Sequence, residues 1–148
     1  MKPRARELAS KAWQRLRGGE LTPARAAASV AIGIAVGVTP LWGLHWAILL
    51  AVCLPLRLDA GVAWLAANVS LPFFAPFITF AEIQVGARIL EGRWPTLSVE
   101  EASRVRPADL AAELAVGTAA VAVAGAALAG AATWGVVTLV RARRAKRA

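Results

Sequence analysis

The chain has 148 residues, 58% of them hydrophobic, and a formal net charge of +8. That length suits one domain. The mean hydropathy of +0.58 excludes a disordered chain and exceeds that of an ordinary soluble domain, which is about 45–50% apolar. An integral membrane protein and a basic nucleic-acid binder remain, and the placement of the charge separates them.

Residues 1–25 hold seven basic and two acidic groups, a net +5, and residues 141–148 hold five basic groups, another +5. The 115 residues between carry five Arg and seven acids, a net −2. A nucleic-acid interface spreads its cations over a folded face that meets phosphates. Here the cations flank long uncharged runs, the pattern of a membrane protein with both ends in the cytoplasm. No nucleic-acid partner is expected. Cys53 is the lone cysteine and lies in an apolar run, so it reads as a buried, inert thiol.

Residues 1–23 read as a basic amphipathic helix. Leu8, Ala12 and Leu16 recur every four residues, beside Ala5, Ala9 and Trp13. Such a helix lies in the headgroup layer, with a solvated basic tail as the alternative. Gly18-Gly19 ends it, and Thr22-Pro23 supplies a cap and a first-turn proline for the next helix. The first apolar run, Ala26 to Leu56, begins too late and is too long for a cleavable signal peptide. As one helix it would measure ~46 Å against a hydrocarbon core of ~30 Å. Gly37, Pro40 and Gly43 interrupt it, predicting half-helices over 26–38 and 41–56.

The second run, Ala60 to Ala81, is joined to the first by Arg57-Leu58-Asp59 and is broken by Asn68, Ser70, Pro72 and Pro76. It predicts pieces over 60–70 and 73–90. Broken backbone is excluded from contact with lipid and must be buried or line a wet cavity. Discontinuous helices of this kind build transporter sites; proline kinks that only shape packing are the alternative reading. Residues 94–113 predict an amphipathic linker helix, with a Ser98/Glu101 capping box, a Val99-Ala102-Val105 stripe and Trp94-Pro95 at the interface. Residues 114–140 are uncharged and rich in Ala and Gly, a packing span with small residues at Gly117, Gly125 and Gly130. Residues 141–148 form a basic cytoplasmic tail.

Two cytoplasmic ends require an even number of crossings, yet three apolar blocks are visible. One broken block is therefore a re-entrant hairpin, and the linker lies on the far side. The expected fold is an all-α integral membrane helical bundle. It has two Pro/Gly-broken blocks within residues 24–93, an amphipathic linker helix and one Ala/Gly-rich transmembrane helix.

Three stretches carry a resemblance: Gly33-x-x-x-Gly37-x-x-Pro40-x-Trp42-Gly43, then Arg57-Leu58-Asp59, then Ala67-Asn68-Val-Ser70-Leu-Pro72-x-x-x-Pro76-Phe77-Ile78 followed by Gly86. In this order, over about residues 24–90, they resemble the prokaryotic family known as domain of unknown function 2062. Asp59 stands where members usually carry Asn. The third stretch looks like a subgroup using Asn-x-Ser-x-Pro in place of Asn-Pro. The resemblance implies a small multi-pass inner-membrane module, sometimes attached to glycosyltransferase domains, with no established activity.

His45, the single histidine, follows the first break and reads either as a proton relay or ligand contact, or as a neutral hydrogen-bonded group in a bundle. No carboxylate pair, Ser/His/Asp set or metal cluster is visible, so no catalysis and no cofactor are expected. Arg57, Asp59, Glu82, Arg88 and Arg93 sit at block ends. They read as snorkelling side chains. Alternatively, Arg57 and Arg88 flank one cavity and bind a phosphate, with Glu82 and Gln84 near its mouth; Asp59, Asn68, Ser70 and His45 complete the candidate substrate-binding set. The leading expectation is binding or translocation of a small anionic or lipid-linked substrate of the polyprenyl-phosphate class. The alternative is a scaffold that forms a homo-oligomer or partners an envelope enzyme such as a glycosyltransferase. A membrane-active cationic protein is a third.

Overall fold

A computed structural model describes residues 21–39, 41, 43–68, 75–92, 94, 98, 100, 104 and 110–146. Five helices are described and no strand is found among these residues: α1 (Pro23–Gly37), α2 (His45–Cys53), α3 (Ala60–Ala67), α4 (Ala75–Glu91) and α5 (Ala111–Ala145). The fold is all-α. The expected N-terminal helix and most of the expected linker helix lie outside the described residues.

Local chemistry explains the helix ends. Thr22 caps α1 by accepting from the Arg25 amide at 3.2 Å, and Pro23 opens the helix where a missing N–H is harmless. Helix α2 is shorter than the predicted 41–56. Pro55 lacks the N–H needed to continue it. The chain then closes in a Schellman turn, with Leu58 N donating to Cys53 O at 2.9 Å and Arg57 N to Leu54 O at 3.1 Å. Arg57 occupies the left-handed position of that turn, φ 53°. Pro76 is the second residue of α4, so it helps to start a helix rather than to break one. Helix α5 runs from Ala111 through the first residues of the expected tail to Ala145.

Helix directions follow from paired contacts. Ser29 lies against Asp59, Gly33 against Ala63 and Ala66, and Gly37 against Ala67, so α1 and α3 run parallel. A Cβ on Gly33 would fall 2.7 Å from the Ala66 Cβ, and one on Gly37 would fall 2.7 Å from the Ala67 Cα. Only glycine permits this approach. Trp46 of α2 stacks on Trp64 of α3, with ring centroids 5.5 Å apart, and Leu58 closes back on Cys53, so α2 runs antiparallel to α3. Helices α1, α2 and α3 thus run up, down and up. Leu49, Cys53, Ala63 and Ala67 form their buried core.

Helix α5 descends along α1. The Arg141 guanidinium donates to the Leu21 carbonyl, Gly130 faces Ala31, and Gly125 faces Ile34. Helix α4 packs on α5 only higher up, where Gly86 meets the Glu113 backbone and Gly117 meets the Glu82 backbone. This pairing makes α4 antiparallel to α5. Helix α4 therefore begins near the height at which α3 ends, and it continues upward. The bundle has two tiers: α1, with α2 and α3 packed against it, on the C-terminal half of α5, and α4 on its N-terminal half.

Helix α5 is the one helix among the described residues long and apolar enough to cross a membrane. At 35 residues it measures ~52 Å. Only 17% of its apolar window is buried inside the molecule. Val123 and Leu128 are 72% and 73% exposed, unlike the core helix of a soluble domain.

Candidate functional site

The Gly37–Ala67 contact joins the last residue of α1 to the last residue of α3. The two helix breaks therefore start side by side, at one height in the bundle. By the register of α1 on α5, that height is level with about Ala124, near the middle of α5.

Polar groups gather there. Thr39 Oγ1 donates to the Val36 carbonyl at 2.7 Å and so satisfies one carbonyl left free where α1 ends. The His45 ring Nε2 lies 3.1 Å from the Thr39 carbonyl. A carbonyl only accepts, so Nε2 carries a proton and donates it. His45 thus ties the start of α2 back across the first break. At the second break, Asn68 caps α3 and its Nδ2 donates to the Trp64 carbonyl at 2.7 Å. Gly43 turns the first break with φ 87°, a conformation that suits glycine. Leu41, Leu44 and Trp46 are 45%, 56% and 48% exposed, so the first break is open to the surroundings on an apolar side. Ser70, Pro40 and Pro72 lie outside the described residues.

The remaining candidates sit elsewhere. Asp59 is a cap: its Oδ1 accepts from the Val62 amide at 2.9 Å. Its own N–H donates to Ser29 Oγ at 2.9 Å, and that hydroxyl donates onward to the Arg25 carbonyl at 2.8 Å. Fully buried Ser29 thereby pins the α2–α3 corner to α1. Asn and Asp are about equal as N-caps, so either residue could close this corner.

Arg57 and Arg88 do not share a cavity. Arg57 is exposed at the lower corner, at the height of Ser29. Arg88 is exposed near the upper end of α4, where it donates to the Gly92 carbonyl and lies 5.9 Å from the Trp94 ring centroid. Along α5 the two levels differ by about 21 residues, or ~30 Å. The paired breaks lie between them. The separation arises because α4 stacks beyond the end of α3 instead of folding back beside it.

Two features escaped the sequence reading. The Trp46–Trp64 stack beside the breaks had no local signal beyond the aromatic residues themselves. The second is a repeat: Ala81-Glu-Ile-Gln-Val-Gly86 and Ala112-Glu-Leu-Ala-Val-Gly117 share Ala, Glu, Val and Gly at matching positions. These two segments form the α4–α5 crossing, each glycine seated on the other segment's glutamate backbone. The arrangement is a local two-fold. Self-comparison of the sequence at an offset of 31 would have found it.

No curated protein and no solved structure matches the chain. The sequence pattern of one family matches residues 6–147, a wider span than the motifs between 24 and 90 suggested. The chain therefore belongs to the family described as uncharacterized protein conserved in bacteria (DUF2062).

Proposed function

We propose that the chain is a multi-pass protein of the bacterial inner membrane that binds and translocates a small anionic, lipid-linked substrate of the polyprenyl-phosphate class. The observation that carries this reading is the meeting of two helix breaks at mid-height, with Arg57 below them and Arg88 above them along the bundle axis. Helix α1, at 15 residues, is ~22 Å long and too short for the hydrocarbon core. Together with descending α2 it is the re-entrant hairpin. Helices α3 and α4 are one discontinuous crossing upward, and α5 returns. Both basic termini then lie on the cytoplasmic side, as the positive-inside rule asks.

In this reading the helix ends at the breaks, with Thr39, His45 and Asn68, offer polar groups in an apolar setting. The exposed apolar flank at Leu41, Leu44 and Trp46 lets a lipid tail stay in the bilayer. Arg57 receives the anionic head at one mouth and Arg88 at the other. The Arg57 backbone supports a role for its side chain, because a non-glycine residue held left-handed is strained by about 1–3 kcal/mol.

Native mass spectrometry of the detergent-extracted chain tests this. A bound lipid phosphate is expected on the wild type. It should fall about tenfold, or about 1.4 kcal/mol, in Arg57→Gly, a substitution that relieves the turn and keeps the fold, and similarly in Arg88→Gln. Absence of such a lipid, or equal amounts on all three proteins, overturns the reading. One observation favours the scaffold alternative: a Cβ on Gly135 would meet nothing within 4 Å, beside exposed Trp134 and Leu139. A second helix fits there, and the same spectra read subunit number.

A further inference from the structure

The α4–α5 crossing buries an acid. Glu82 is 1% exposed, although it lies one residue from the exposed Ala81. Its Oε1 has no hydrogen-bond partner, and neither has Oγ1 of Thr118, a residue 9% exposed that follows Gly117 at the same crossing. Thr118 stands at the place in the second repeat that Ala87 holds in the first. The crossing is thus two-fold except where a hydroxyl is set against the buried carboxyl. The partner acid of the repeat, Glu113, is half-buried.

An ionised carboxylate in such a place needs a counter-charge. Among the described residues α4 packs on α5, and α5 carries no Lys or Arg between Glu113 and Arg141. Arg141 is ~36 Å from the level of Gly117 along the helix and is tied to Leu21. On α4 itself, Arg88 is held at Gly92 and Trp94, and Glu91 is acidic. A metal ion is a poor alternative. The crossing offers one carboxyl and one hydroxyl, carbonyls inside a helix are committed to its own hydrogen bonds, and hard cations take about six or more oxygens.

We propose that Glu82, with Thr118 as its hydroxyl neighbour, is a proton-binding site built into the α4–α5 crossing. The carboxyl holds its proton while α4 and α5 are packed and releases it to water when they part. Proton occupancy and the packing of the upper tier are then linked. The site lies about seven residues, or ~10 Å, above the paired breaks. The inference rests on the crossing alone and stands whether or not a lipid is the substrate.

Dicyclohexylcarbodiimide, which reacts with protonated carboxyl groups in apolar surroundings, tests it on the full chain in detergent. Peptide mapping should place the adduct on Glu82 ahead of the exposed acids. Labelling should decline with rising pH, by about tenfold per unit beyond its midpoint, and should be unaffected by sodium chloride. Glu82→Gln, which mimics the protonated form, should lose the adduct and with it the wild type's loss of stability as pH rises above the ordinary carboxylate range. No adduct at Glu82, labelling that does not vary with pH, or protection by sodium overturns the proposal. The wild-type labelling decides the matter even if Glu82→Gln fails to fold.

Discussion

Substituting Gly117 by Ala puts the sharpest load on the upper tier. The added Cβ would lie 2.5 Å from the Glu82 carbonyl carbon and 3.0 Å from its Cα. The Glu82 carbonyl oxygen is nearer still, and carbon pairs rest at about 3.5–4.0 Å, so the helices must part by more than about 1 Å. The obstructing atoms are backbone and cannot swing aside. Overpacking of this kind costs about 1–3 kcal/mol, against a gain of up to about 1 kcal/mol from replacing glycine inside a helix. The expected net effect is destabilisation by about 1–2 kcal/mol. Gly135→Ala in the same helix meets nothing, keeps the whole propensity gain, and should stabilise. Gly86→Ala meets the Glu113 backbone in the mirror position. Added to Gly117→Ala, it should cost less than it does alone, because the helices have already separated. Denaturant or thermal unfolding in detergent, followed by circular dichroism, measures all four proteins. Equal effects of Gly117→Ala and Gly135→Ala would refute the crossing.

The α2–α3 corner gives a second set of outcomes. Asp59→Asn should change stability by less than about 0.5 kcal/mol, and Asp59→Ala should cost about 1 kcal/mol through loss of the cap. Ser29→Ala strands the Asp59 N–H and should cost about 1–3 kcal/mol; unfolding midpoints rank the three. Arg141→Ala removes the donor to the Leu21 carbonyl. Amide exchange should then speed up over the first turn of α1, while the α4–α5 crossing remains protected.

Much of the helical framework was legible because its punctuation is chemical. Thr22-Pro23 marks the start of α1, and Pro76, the second residue of α4, marks the start of that helix. The end of α2 was not, since its Schellman turn carries Arg57 where glycine would have signalled it. Gly33 and Gly37 were visible, but Gly37 was read as a break; its closeness to Ala67 depends on a helix 30 residues away. The same holds for Glu82. It reads as one more charge at a block end until α5 covers it. The separation of Arg57 from Arg88 depends on α4 stacking beyond α3, which no local pattern states. Of the candidate site, His45, Asn68, Gly37 and Gly43 converge, whereas Asp59 is a cap and the two arginines are far apart.

The central claim is that α1–α2 turns back while α3–α4 continues through, placing Arg57 and Arg88 ~30 Å apart along the bundle axis, on either side of the paired breaks. With Cys53 replaced by Ala, Arg57→Cys and Arg88→Cys give two single-cysteine chains. In intact cells with a permeable outer envelope, a membrane-impermeant maleimide should label Arg88→Cys and spare Arg57→Cys. In inverted vesicles the pattern should reverse. Labelling of both positions from the same side would contradict the account.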